Sequence, residues 1–205
     1  MHTDTILTFL TASALLTIMP GPDIIYVLMQ SISNGKKYGF ATALGLVSGI
    51  IIHISLIAFG VSEILKHHEN IFFIIKLFGA FYLFFLAFKV FKSSSNLVLD
   101  SNAVPKKSLS SLYKQGFIMN VLNPKVTIFF LAFFPAFIDN SLNNIKEQIF
   151  ILGFLFMFQA FIIFSVISFL ADKMTSFLRD NKDFEKILKI IQIVVFIGIG
   201  FFILI

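Results

Sequence analysis

Two short strings place chemistry where a chain dissolved in lipid would avoid it. Pro20-Gly21-Pro22-Asp23 and Asn123-Pro124-Lys125 each sit well inside an apolar run, and each ends on a charge. A proline lacks an amide donor and crowds the preceding turn, so neither run can continue as one regular helix. An isolated charge at mid-membrane costs about 2.5 to 3.5 kcal/mol on insertion scales, so Asp23 and Lys125 need partners. Aligning the strings on Pro22 and Pro124 superposes the acid on the base. Such a pair can neutralise itself, or it can receive the ammonium and carboxylate of a zwitterion. A salt bridge that only locks two helices is the competing reading. His53, near Ser48 and Ser55, is the third candidate. Imidazole can carry a proton near neutral pH, and with Asp23 it is a candidate for proton coupling; it can equally be a hydrogen-bond partner for another helix.

The elements that must hold these residues follow from composition. The 205 residues are 58% apolar and 13% charged, whereas soluble domains are nearer half apolar and a quarter charged. Lipid is the expected solvent, with the 29 Phe residues as lipid-facing bulk. There is no cysteine, which excludes disulfides, thiolate metal sites and dithiol electron carriers. No phosphate-cradling Gly-Lys-Ser/Thr loop, two-His zinc spacing or nucleophile elbow is present, so neither an enzyme nor ATP coupling is expected, and no cofactor or metal. Ala12-Ser13-Ala14 could pass for a signal-peptide cleavage site, but no Lys or Arg precedes it and the apolar run continues beyond it. It is read as part of the first span.

A spanning helix needs roughly 20 apolar residues. Six stretches qualify, Thr5 to Gln30, Tyr38 to Ser62, Asn70 to Phe88, Gln115 to Ile138, Gln148 to Ala171 and Phe184 to Ile205. The expected fold is an all-α membrane protein of six transmembrane helices, with helices one and four broken. Residues 1–205 form a single transmembrane domain, with a first repeat at 1–92, a Ser/Asn/Lys-rich cytoplasmic linker at 93–112 and a second repeat at 113–205.

Gaps after odd-numbered spans hold twelve Lys and Arg, among them Lys36, Lys37, Lys106 and Lys107, while the other gaps hold only Lys66 and Lys146. By the positive-inside rule the odd gaps are cytoplasmic and both termini lie outside. The net charge of +5 is thereby explained by orientation, and no nucleic-acid partner is expected. Two halves of three spans then run in opposite senses, which is the layout of a 3+3 inverted repeat. Broken backbone in hydrocarbon is tolerated only when buried in protein or lining a wet cavity, so the two breaks are expected to meet inside. Matching interruptions in two halves point to a transporter's binding site, against the alternative of packing kinks.

Other polar groups read more simply. His67 and His68 belong to a loop, and Lys76 can run its stem along lipid to the headgroups. Gln159, Gln192, Ser165 and Ser168 are expected to hydrogen-bond between helices. Gly45 and Gly49, with Gly39 and Gly60 nearby, would let helices approach closely within one chain or in a homo-oligomer.

These residues resemble a known family. Met19-Pro20-Gly21-Pro22-Asp23, Asn34-Gly35 through Gly39 to Gly45 and Gly49, Gly79-Ala80-Phe81-Tyr82-Leu83, and Gly116-Phe117 through Asn120 to Asn123-Pro124-Lys125 resemble the LysE/RhtB superfamily of amino-acid exporters, over essentially the whole chain. The resemblance implies efflux of amino acids across the bacterial inner membrane, driven by the proton gradient or membrane potential. It carries Pro20, Gly21, Pro22, Asp23, Asn120, Asn123, Pro124 and Lys125 over as a general substrate site. Phe134-Pro135-Ala136-Phe137 resembles the end of the family's fourth span, with Ala136 where a Gln is common. Metal-ion efflux is the alternative within transport, although no Cys and four His leave a soft-metal path few ligands. A non-transporting membrane scaffold is the alternative outside it.

Overall fold

The computed structural model describes residues 3–61, 69–92, 106–139, 142, 144–171, 173 and 182–204. His67, His68, Lys66, Arg179 and most of the linker lie outside the described residues.

Among the described residues every regular element is helical. The chain opens on α1 (Thr3–Ile18) and α2 (Pro22–Asn34), bent by 58° across Met19-Pro20-Gly21. Gly35 follows at φ 99°, a conformation that side chains rarely adopt, and it turns the chain directly into α3 (Lys36–Leu56). The end of α3 loosens into a π-turn at Ile57–Val61. Helix α4 is Glu69–Lys92. The second half repeats the order. Helix α5 (Leu109–Val121) and α6 (Pro124–Ile128) flank a break at Leu122-Asn123, and α6 runs on through a π-segment (Phe129–Phe133) and a 3-10 turn (Phe134–Phe137), the pair being bent by 46°. Two unbroken helices follow, α7 (Ile145–Phe169) and α8 (Lys182–Leu204). Among the described residues four helices are long and apolar enough to cross a membrane, or up to six spans if each bent pair counts as one.

Burial separates the surface from the interior within single helices. On α4, Phe78, Phe81, Phe85 and Phe88 are exposed while Ala80, Leu83 and Ala87 are buried, so large rings face outward and small residues pack inward. In water this surface would aggregate; in a bilayer it is ordinary. Helix α4 lies along α8, where a side chain on Gly200 would run into the Phe84 ring. Not all of the phenylalanine is lipid-facing bulk. Phe9, Phe129, Phe130 and Phe134 are almost completely buried and interlock edge-to-face and stacked, with centroids 5.2 Å apart for Phe9 and Phe134 and 5.1 Å for Phe130 and Phe134. Here the aromatic rings replace aliphatic packing at the centre, because the loosened helix of Phe129–Phe137 turns consecutive rings inward.

The closest backbone approach joins α3 to α5. A Cβ on Gly45 would collide with the Tyr113 carbonyl, one on Gly49 would come within 2.9 Å of Asn120 Cβ, and one on Gly116 would strike the Thr42 carbonyl. Small residues thus seat the two helices against each other, as expected for Gly45 and Gly49; Gly116 completes the seam from the other side. Gly39 likewise faces Ser31 and Ser168, whereas Gly60 faces open space and takes no part in close packing.

Candidate functional site

Each break begins with a missing amide. Pro20 has no N–H for the carbonyl of Leu16, four residues earlier, and Pro124 has none for Asn120. In both cases a basic side chain from the opposite half of the chain supplies the donor. Lys125 Nζ donates to Leu16 O at 3.2 Å and to Met19 O at 3.5 Å. His53 Nε2 lies 3.2 Å from Asn120 O, which also accepts from the Asn123 amide at 3.0 Å. Since a carbonyl only accepts, the His53 contact requires the tautomer with a proton on Nε2. The imidazole is held flat against the Phe130 ring, centroids 5.5 Å apart.

Asp23 and Lys125 meet through Asn123. The Asn123 amide nitrogen donates to both Asp23 carboxylate oxygens, at 2.6 and 2.7 Å, while its Oδ1 accepts from the Lys125 backbone N–H at 3.0 Å. One side chain therefore caps α6 and binds the acid. Asp23 lies in the first turn of α2, where the helix dipole favours negative charge, and the Lys125 ammonium lies against the carbonyl end of α1, where positive charge is favoured. The two charges are near enough to couple. A Cβ on Gly21 would stand 3.3 Å from Lys125 Nζ, so glycine there lets the ammonium approach the bend. Asp23, Asn123 and Lys125 are all at least nine-tenths buried.

Between these groups lies a cavity of ≈ 20 Å³, room for about one water. Its polar wall comprises Thr17, Asp23, Asn120 and Lys125; its apolar wall includes Phe156, Ala160 and Phe164 of α7. Asn120, which lines this space, is 3% exposed, and its Oδ1 has no hydrogen-bond partner; the atom lies against α3, where a Cβ on Gly49 would stand 3.0 Å from it. Pro20 and Gly21 are half-buried, and Pro22 and Pro124 are exposed outside the cavity, so the prolines shape the backbone and do not line the space.

The remaining expectations sort cleanly. Gln192 Nε2 donates to Pro20 O at 3.0 Å, a third carbonyl at the first break. Gln159 and Ser13 bond across α7 and α1 at 3.1 Å in either amide orientation. Ser168 bonds Ser31 at 2.8 Å and donates to Lys36 O at 3.1 Å. Ser165 Oγ is buried and makes no such bond. Thr17 was not singled out by sequence; its signal is a hydroxyl six residues before Asp23, the last one ahead of the first break.

Comparisons with known proteins give the family. The model of the LysE type translocator family matches residues 14–205. An uncharacterized membrane protein of Bacillus subtilis (strain 168), YrhP, is 28% identical over 98% of this chain and 97% of its own length. The leucine efflux proteins of Salmonella typhimurium and Salmonella typhi are each 30% identical over 71% of this chain and 69% of theirs. No solved structure matches.

Proposed function

The chain belongs to the LysE type translocator family, whose members are membrane transporters rather than enzymes, and from that premise we propose that it exports an amino acid or close derivative by secondary-active transport. The observation that carries the reading is the buried acid and base at two facing helix breaks, around a space that Asn120 also lines. A zwitterion matches that set. Its ammonium is received by Asp23 and the Asn120 side chain, and its carboxylate by Lys125, whose ammonium has three donors and spends two on the Leu16 and Met19 carbonyls. The similarity to leucine efflux proteins supports an amino-acid substrate, and the apolar wall of α7 suits a side chain without charge.

The cavity holds about one water, so loading requires the halves to move apart. Part of the contact pattern supports an inverted repeat: α4 against α8 and α3 against α7 map onto themselves when the halves are exchanged, and α3 against α5 maps onto α7 against α1, whereas the packing of α2 on α3 has no counterpart of like extent between α6 and α7. In the inner membrane, with both termini outside, the Lys36–Lys37 turn faces the cytoplasm. The interlocked rings of Phe9, Phe129, Phe134 and Phe156 then close the outer side of the chamber. Protons drive the cycle through Asp23 and His53. With Nε2–H committed to Asn120 O, His53 takes up its proton on Nδ1.

Export of labelled neutral, basic and hydroxylated amino acids from loaded proteoliposomes, with and without a pH gradient, tests the reading. Asp23→Asn and Lys125→Met each abolish export of the preferred solute, and normal export in both removes the site. His53→Gln keeps a donor for Asn120 O and cannot titrate; it retains folding and loses acceleration by the pH gradient. Unchanged acceleration assigns His53 to structure alone.

A further inference from the structure

A second feature lies outside the chamber and shares no lining residue with it. Where the N-terminal turns of α3 and α5 approach the end of α7, a groove of ≈ 580 Å³ opens on the molecular surface. Its walls are Phe40, Leu44, Leu109, Tyr113 and Phe169, with Ala41 between them as the small residue that gives it depth. Phe169 is 62% and Tyr113 40% exposed, so the trough faces outward. In a membrane protein, an outward apolar trough among spanning helices is filled by acyl chain.

The charges identify which lipid. Lys36 and Lys37 stand in the lining and, among the described residues, no acidic side chain does. Lys36 Nζ lies over the Phe169 ring at 5.1 Å, bringing one ammonium onto the apolar wall. Lys37 of α3 and Lys106, ahead of α5, both reach the Tyr38 ring, at 5.4 and 5.8 Å from its centroid, so two like charges gather around one aromatic ring. Each cation–π contact offsets part of that repulsion, and an anion between the ammonium groups would offset more. A second copy of this chain presenting the same lysine-rich face would add to the repulsion.

We infer that the groove is a binding site for an anionic phospholipid, its acyl chain lying over Ala41 and its phosphate held by Lys36 and Lys37, with Lys106 beside them. The headgroup belongs to the leaflet that the lysines face, and an apolar trough beneath a basic rim distinguishes this lipid from the general annulus. The bound lipid ties the start of α3 to the end of α7, next to the Ser168–Lys36 hydrogen bond.

The full chain, purified in detergent and stripped of lipid, is titrated with phosphatidylglycerol or phosphatidylcholine and followed by native mass spectrometry. Wild type retains phosphatidylglycerol in preference. Lys36→Gln/Lys37→Gln weakens its binding about 25-fold, as two lysines of roughly fivefold each would give, while Lys89→Gln/Lys92→Gln on α4 leaves it unchanged. Ala41→Trp fills the trough and weakens both lipids while the lysines remain. Equal retention of the two lipids, an equal loss in the α4 control, or full competition by millimolar inorganic phosphate would each overturn the proposal.

Discussion

At the first break, the carbonyls of Leu16, Met19 and Pro20 are taken up by side chains from far along the sequence, Lys125 and Gln192. At the second, Asn123 caps the following helix with its own side chain and closes a turn with its own amide; the distant partners are His53, on the Asn120 carbonyl, and Asp23, which accepts from the Asn123 side chain. Gly21, the residue that caps α2, offers no side chain at all. The difference is one of autonomy. The second bend is built largely from its own residues, whereas the first is completed only when the second half is docked against it. A transporter whose halves move apart would loosen the first bend at each cycle and leave the second intact.

That contrast can be broken most severely at Lys125. Lys125→Met strips the first bend of its main donor and leaves Asp23 without a counter-charge, with an expected loss of about 3 to 5 kcal/mol in denaturant unfolding in micelles. Adding Asp23→Asn recovers part of that stability and none of the export. Full stability in the single variant would mean the first bend needs no help. Asn123 sharpens the comparison from the other side. Asn123→Ala removes both the cap of α6 and the donor to Asp23, for about 2 to 4 kcal/mol. Asn123→Asp keeps a cap acceptor but sets carboxylate against carboxylate, so it stops export as completely as the alanine does; export by the aspartate variant would show that the cap alone matters. The smallest effect is expected at Gln192. Its hydrogen bond to Pro20 O is one of three at that bend, and Gln192→Leu costs about 1 kcal/mol with export slowed rather than lost. A loss as large as that of Lys125→Met would shift the weight of the first bend onto α8.

Much of this arrangement was legible in the sequence, for physical reasons that differ by residue. The prolines announce the bends because their missing amide acts wherever they stand. The charges announce a partner because hydrocarbon penalises any that lack one. What the sequence could not convey is which acceptor each donor reaches. Lys125 was expected to pair with Asp23; it does feel that charge, but its ammonium rests on the carbonyls that Pro20 orphans, and Asn123 is the group bonded to the carboxylate. That choice depends on the 58° and 46° bends, which bring α1, α2 and α6 to one point. Gly116 entered only through the family resemblance and not as a packing residue, because a lone glycine carries no spacing, whereas Gly45 and Gly49 repeat along one helix face. Gly60 was grouped with them by proximity and faces open space. The inward phenylalanines could not be told from the outward ones because the π-segment at Phe129–Phe133 shifts the helical register that would sort them.

The small volume of the chamber has an electrical consequence. A working bacterial membrane holds a voltage, and each elementary charge that slips across 100 mV dissipates about 2.3 kcal/mol. A continuous file of water through an idle carrier would conduct protons and drain that voltage. With ≈ 20 Å³ of free space, flanked by Phe156 and Phe164, the chamber between the two bends is too small for such a file.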